Sequence, residues 1–181
     1  MTTPTIIETR VDNTVAKLLM ACASNDAARE TLQHIHVENV DNTQTFVATN
    51  THVMCVARTA HPTIEEGDYL PSRPTKDFWM LKRGEVQFPN WKRILLNKSI
   101  CEPIAELHYL SGTKHGGIRA WHELNVSLAY LDILACTKID WTIYRQIPLT
   151  NNIEKPMLAV PSSPYPKWDL QVVIMPINRN I

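Results

Sequence analysis

Two stretches of this chain read as amphipathic helices whose starts lie about 112 residues apart, and each is followed by a train of short strands. A helix-then-strands unit that occurs twice restricts the fold more than any single motif. Each copy has one apolar stripe to bury, and the economical solution is to bury both against a shared sheet system. In the first copy Asp12-Asn13-Thr14 offers side-chain oxygens for a helix N-terminus. Val15, Leu18, Leu19 and Cys22 then fall at i, i+3, i+4 and i+7, which predicts a helix over about 13–23. In the second, Asn125 is the predicted cap, with Leu124, Leu128, Leu131 and Ala135 on one face and Tyr130 and Leu134 beside it.

The strands follow from alternation and turn chemistry. Thr5 to Val11 precedes the first helix. Leu32 to Val40 alternates, with Ile35 and Val37 on one side and His34 and His36 on the other, so those histidines are expected at the surface. Asp41-Asn42 is a turn, and Thr45 to Ala48 and His52 to Ala57 flank a second turn at Thr49-Asn50-Thr51. The later half offers Ile104 to Tyr109, Gly117 to Trp121, Trp141 to Ile147, Met157 to Val160 and the terminal run from Val172. The fold class is α+β, with a first half over 1–60, a Pro-rich connection over 61–98 and a second half over 99–181, together one domain. In the connection, Phe78-Trp79-Met80-Leu81 is the strongest apolar cluster, consistent with one extra strand and a satellite core.

The terminal run Val172-Val173-Ile174-Met175-Pro176-Ile177 has β-branched enrichment and then a proline, a residue that sheets accept at edges and ends. An apolar edge is expected there. Such a strand either completes the domain's own core or presents soft apolar side chains to an extended peptide, and both readings stay open.

Composition bounds the function. Eighteen basic residues balance eighteen acidic ones, so the chain lacks the positive field by which most nucleic-acid binders gather phosphates. The four cysteines, Cys22, Cys55, Cys101 and Cys136, are widely spaced and read as reduced core residues. With no basic-then-apolar leader over Met1 to Arg10 and no apolar span of bilayer length, a soluble cytoplasmic protein with no membrane partner is expected. Twelve prolines against five glycines, crowded into 62–89 and 148–176, predict extended connections there.

Catalytic chemistry is hard to assemble from these residues. His34 and His36 share a strand face without a third ligand at suitable spacing, so no metal is expected. Ser111 to Gly117 lacks the glycine-rich run ending in Gly-Lys-Ser/Thr and reads as a hairpin turn. Asp132 and the pair Glu65-Glu66 are not brought together by the pattern, so no catalytic residue and no cofactor is assigned.

Four fragments, in order, carry a resemblance. Thr45 to Ala57 (Thr-Phe-Val-Ala-Thr-Asn-Thr-His-Val-Met-Cys-Val-Ala) resembles the Val-Ala-Thr-Asp-Gly-His-Arg-Leu-Ala stretch in the middle domain of the bacterial DNA polymerase III β sliding clamp family. Phe88 to Leu95 is similar to that family's Phe-Pro-Asp-Tyr-Arg-Arg-Val-Leu linker. Leu124-Asn125-Val126-Ser127 with Leu131-Asp132-Ile133-Leu134 resembles the helix of its last domain, and Val173 to Ile177 its Val-Val-Met-Pro-Met ending. The order implies a shortened clamp: the first half of the middle domain, the linker, and the second half of the last domain. A DNA clamp-like fold of duplicated βαβββ half-domains, with two helices packed on antiparallel sheets, is what the resemblance implies.

It also implies a site and partners. The retained parts are those that form the family's apolar cleft for short clamp-binding peptides of polymerases, the clamp loader and repair proteins. By position the cleft residues here are Leu32, Thr49, Thr51, His52, Val53, Met54, Pro89, Arg93, Ile94, Asn125, Met175, Pro176 and Ile177. The family's Gly-His-Arg is replaced by Thr51-His52-Val53, which adds a side chain and removes a cation at the cleft wall. The implied partners are a DNA polymerase or other replication or repair proteins, with double-stranded DNA and further copies of the chain as open alternatives. A ring would need about six copies if each supplied one clamp domain. For DNA the helices offer Lys17, with Arg29 beyond it, and Lys138, opposed by Glu123 and Asp132. A free-standing clamp-fold module that binds the same peptides without encircling DNA is the alternative.

Overall fold

The computed structural model describes residues 6–60, 62–75, 79–109, 117–120 (backbone alone for 118–120), 126–147 and 155–175. Helix α1 spans Asn13–Cys22. Asp12 caps it: Oδ1 accepts from the Thr14 amide at 2.8 Å and the Val15 amide at 3.2 Å, which satisfies two of the amides that a helix start leaves unpaired. Val15, Leu18, Leu19 and Cys22 are all fully buried, as their spacing predicts, and Ala16 joins them. Helix α2 spans Leu128–Ala135, with Ser127 as N-cap, its Oγ accepting from the Ala129 amide at 3.3 Å. The expected cap, Asn125, lies outside the described residues, as does Leu124. In α2 the buried positions are Leu131 and Leu134, whereas Leu128 is 67% exposed. The face therefore turns by about one residue from the one that spacing selected, because α2 is apolar at nearly every position and its packing against the sheet decides.

Eleven strands form one sheet, with every pairing antiparallel among the described residues. They are β1 (Ile6–Thr9), β2 (Ile35–Val40), β3 (Thr43–Thr49), β4 (Val53–Ala60), β5 (Gly67–Pro71), β6 (Trp79–Arg83), β7 (Cys101–His108), β8 (Gly117–Ala120), β9 (Trp141–Gln146), β10 (Met157–Pro161) and β11 (Asp169–Ile174). The order is β1-β6-β5-β2-β3-β4-β11-β10-β9-β7-β8. Its centre reads the same from either side: the meander β2-β3-β4 meets the meander β9-β10-β11 at the β4·β11 seam. The seam runs from Val53 opposite Ile174 to Arg58 opposite Asp169. The architecture is α+β, with two helices packed on antiparallel strands.

Several expectations change. The terminal strand is no edge: β11 sits between β4 and β10, and Leu170, Val172, Val173 and Ile174 are all at most 2% exposed. The rule on proline bears on position 176, beyond the strand's last residue. The connection over 61–98 supplies two strands, β5 and β6, where one was expected, and they extend the first half's sheet. Trp79 and Leu81 belong to the main core and not to a satellite, while Phe78 lies outside the described residues. His34 is buried, and its Nδ1 lies 2.8 Å from the Glu30 carbonyl; His36 Nδ1 lies 2.7 Å from Asp68 Oδ1. Of the cysteines, Cys22 and Cys55 are buried core residues, but Cys101 is half-buried and Cys136 exposed. Residues 111–116 of the expected Ser111 to Gly117 turn lie outside the described residues, and Gly117 begins β8.

Alternation along the central strands sends side chains to two cores. On one face, Val53, Cys55, Ala57, Leu170, Val172 and Ile174 pack with α1 and α2. On the other, Val47, Met54, Val56, Leu158, Val160 and Val173 lie beneath Phe88 and Trp91 of the linker, whose 3-10 turn covers Trp91–Ile94. Central strands buried on both faces read as unbroken apolar runs, as Val53 to Ala57 of β4 and Met157 to Val160 of β10 do. The linker is fastened by a stack of Phe88 on His36, with centroids 5.2 Å apart, and by a Lys92–Glu38 ion pair.

A buried amide holds the connection to the body. Gln44 is fully buried; its Nε2 donates to Asn39 Oδ1 and the Ile64 carbonyl at 2.9 and 2.8 Å, and its Oε1 accepts from the Thr63 amide and hydroxyl at 3.2 and 3.1 Å. Gln44→Leu fills the same space but leaves these partners to find water. It is expected to lower unfolding free energy by about 2 kcal/mol in a urea titration.

Candidate functional site

The turn between β3 and β4 is the place where several distant parts of the chain meet. Asn50 organises it, its Oδ1 accepting from the His52 and Val53 amides at 3.0 Å each, an arrangement asparagine makes readily. Thr49, buried, donates its hydroxyl to the Val53 carbonyl at 2.8 Å and accepts from the Thr51 amide at 3.1 Å. Thr51 at the tip has φ +79°, a left-handed conformation that a β-branched residue adopts at a cost of about 1–3 kcal/mol.

Three other segments close on this turn. From the 3-10 segment Ala27–Gln33, Arg29 Nη1 donates to Thr51 Oγ1 at 3.3 Å. Arg29 is itself where the backbone leaves helical geometry, at φ −117°, ψ 53°. From α2, Tyr130 stacks on His52 with centroids 5.9 Å apart and planes 16° from parallel. Past β11, the Met175 amide donates to the His52 carbonyl at 2.8 Å. The turn, the first 3-10 segment, the start of α2 and the end of the last strand therefore share one end of the sheet.

The predicted cleft residues divide accordingly. Thr49, Thr51, His52 and Met175 come together here; Thr51 and His52 are exposed and Met175 is half-buried. Leu32 lies in the 3-10 segment and not on a strand, is 9% exposed, and accepts from the Ser24 amide through its carbonyl at 2.8 Å. Val53 and Met54 are each 1% exposed and point to opposite faces, Val53 into the helix-side core and Met54 beneath the linker. Pro89, Arg93 and Ile94 are exposed on the linker beside Trp91, Ile94 at 39%. Asn125, Pro176 and Ile177 lie outside the described residues.

Two participants were assigned otherwise from sequence. Tyr130 was placed only beside an apolar helix face, and nothing in one dimension pairs it with His52. Arg29 was grouped with Lys17 and Lys138 as a DNA contact, yet it sits on the turn and faces Asp26, Nε to Oδ2 3.5 Å. Lys17 is exposed on α1. Lys138, at φ +60° just past α2, lines a groove of about 310 Å³ with Tyr109, Asp140 and Tyr165. Glu123 lies outside the described residues.

This end of the sheet brings together the exposed His52, the half-buried Tyr130 and Met175, and one guanidinium. No nucleophile paired with a base is among the described residues that meet there. Among the described residues no three His, Cys, Asp or Glu side chains gather as a metal site. No helix among them is long and apolar enough to cross a membrane.

No protein-family model matches the sequence, and no curated protein matches it. Solved structures do. The chain is similar to the DNA polymerase III beta subunit of Thermotoga maritima, with 12% identity and a TM-score of 0.61 over 98% of this chain and 68% of that one. It is likewise similar to the DNA polymerase III beta chain of Streptococcus pneumoniae, with 12% identity and a TM-score of 0.61 over 98% of this chain and 65% of that one. The beta sliding clamp of C. crescentus gives 14% identity and a TM-score of 0.61 over 98% and 67%. The chain has the sliding-clamp fold and spans about two thirds of these chains' length.

Proposed function

We propose that this chain is a non-catalytic, cytoplasmic, sliding-clamp-like protein of DNA replication or repair that binds short clamp-binding peptides of a polymerase or another replication protein. The observation that carries the reading is the meeting of Thr51, His52 and Met175 at one end of a clamp-fold sheet. Those residues come from two of the four fragments that resemble the clamp family, fragments far apart in sequence. In this reading residues 1–60 and 99–181 are the two halves of one clamp domain, and 61–98 joins them.

The buried positions restrict how the cleft works. Thr49 and Leu32 support the turn from within, and Val53 and Met54 anchor the strand below it in opposite cores; the positions left to meet the peptide are the exposed Thr51, His52, Pro89, Arg93 and Ile94, the half-buried Met175 and, as the resemblance implies, Asn125, Pro176 and Ile177. A groove of Met, Ile and Pro with a few polar groups suits an extended peptide with leucine or phenylalanine anchors. Met175→Ala combined with Pro176→Ala is expected to weaken such a peptide by about 2 kcal/mol or more with unchanged thermal unfolding. Fluorescence anisotropy with a labelled peptide reads this, and unchanged affinity would remove these residues from the cleft.

A second reading, a clamp-fold module that binds the peptides without surrounding DNA, is favoured by the charge. Helix α1 contributes Lys17, and the turn past α2 contributes Lys138, as exposed cations in a chain of zero formal net charge. Salt-dependent phosphate contacts need more than that. A ring joined by strand pairing would use the outer strands among the described residues, β1 and β8. Light scattering separates the two readings, since a monomer cannot enclose a duplex.

A further inference from the structure

We propose that the hairpin joining β10 to β11 carries a binding site of its own, for a proline-rich segment of a partner protein in the polyproline II conformation. The site stands apart from the β3–β4 turn and does not depend on the reading of that end. In the β4·β11 seam, Val53 opposite Ile174 marks the turn's end and Arg58 opposite Asp169 the hairpin's, roughly 17 Å away along the strands. Two grooves flank the hairpin, one of about 390 Å³ and one of about 310 Å³, and they share a wall of Pro161, Ser163, Pro164 and Tyr165. A compact ligand fills one groove; two of similar size side by side suit an extended one. In polyproline II, residues at i and i+3 return to the same side about 9 Å apart, so one such segment enters both grooves across the shared wall.

The wall is built of rings that the chain itself holds in place. The Tyr165 hydroxyl donates to Asp12 Oδ1 at 3.0 Å, at the cap of α1, and the Trp168 amide donates to the Tyr165 carbonyl at 3.2 Å. Trp168, which lines the larger groove, packs on Phe46 with centroids 5.7 Å apart. The Ser162 amide donates to the Asp140 carbonyl at 2.9 Å and fixes the root of the loop. Half-buried rings so held lose little freedom on binding, and a proline-rich segment has little to lose either. The polar groups of the larger groove suit the same ligand. Gln171 Oε1 is buried without a hydrogen-bond partner. Folded chains rarely leave such an acceptor bare, and the N–H of a non-proline residue in the segment would complete it. Lys98 has its ammonium over the Tyr144 ring at 4.9 Å and no carboxylate partner among the described residues. It supplies a donor for the carbonyls that a polyproline II chain leaves unbonded.

The test uses the full chain and a short fluorescein-labelled peptide of repeating Pro-Pro-Leu, with a control in which serine replaces every proline. Anisotropy is expected to show saturable binding of the first and binding of the control weaker by about tenfold or more. Trp168→Ala should lower the affinity by about tenfold or more. Gln171→Met, which removes no hydrogen bond made by the buried Oε1, should lower it by about three- to tenfold. An unlabelled peptide with the leucine and phenylalanine anchors of a clamp-binding motif should not displace the probe. No binding of the probe to the unaltered chain, equal binding of the control, displacement by the clamp-motif peptide, or unchanged affinity in both variants each overturns the proposal. Circular dichroism melts check the fold of the variants. If Trp168→Ala unfolds, Gln171→Met decides alone, and unchanged affinity in it overturns the proposal.

Discussion

A chain that stops at Lys167 should show no cooperative unfolding transition at all. The missing segment carries β11, which bonds across the seam to β4 of one meander and to β10 of its own. Without it Leu170, Val172, Val173 and Ile174, each at most 2% exposed, no longer fill either core. At about 1.5–3 kcal/mol per buried aliphatic side chain, their loss comes to roughly 6–12 kcal/mol, as much as a typical domain's whole stability. The second loss is topological: the two halves keep the contact of α1 with α2 and the linker's cover but have no shared ladder. Far-UV circular dichroism through a thermal ramp should give a sloping line. A sigmoidal transition near that of the full chain would mean that the halves hold together without the seam.

Trp91→Ala carries the next largest expected effect. Trp91 is 7% exposed and, with Phe88, covers Met54, Val56, Leu158 and Val173 on the face opposite the helices. Truncating a buried tryptophan costs about 3–5 kcal/mol, and here the cavity opens at the surface, so water and apolar dyes gain access to the uncovered strands. The expected outcome is a loss of about 3 kcal/mol in a guanidinium titration together with new binding of an apolar fluorophore. A loss under about 1 kcal/mol with no dye binding would show that the linker rests on that face without holding it.

How far the sequence reached depends on whether a local rule was enough. Helix α1 was legible because its cap and its four apolar positions are local properties. Strands β3 and β4 were legible because turn chemistry at Asn50 marks the break between them. Strands β5 and β6 were not, since proline and charge dominate 61–83 and the apolar residues they bury, Tyr69, Trp79 and Leu81, are few and spread out. The place of β11 at the seam was invisible for a different reason: an apolar run says that a strand is buried but not which neighbours bury it. Within the proposed site, one restriction was available in advance. Val53 and Met54 are consecutive on a strand, so they face opposite sides and cannot both line one groove. Arg29 could not have been placed, because its link to Thr51 depends on how the 3-10 segment bends at Arg29 itself.

The reading of this protein as a clamp-fold peptide binder is tested most directly by size-exclusion chromatography with light scattering on the intact chain. The chain is mixed with a fluorescent peptide that carries the leucine and phenylalanine anchors of a clamp-binding motif. The account predicts that fluorescence elutes with the protein peak, at one peptide per chain, whatever oligomer the scattered mass reveals. Fluorescence that elutes free while the protein stays folded and in large excess would contradict it, leaving a clamp fold put to some other use.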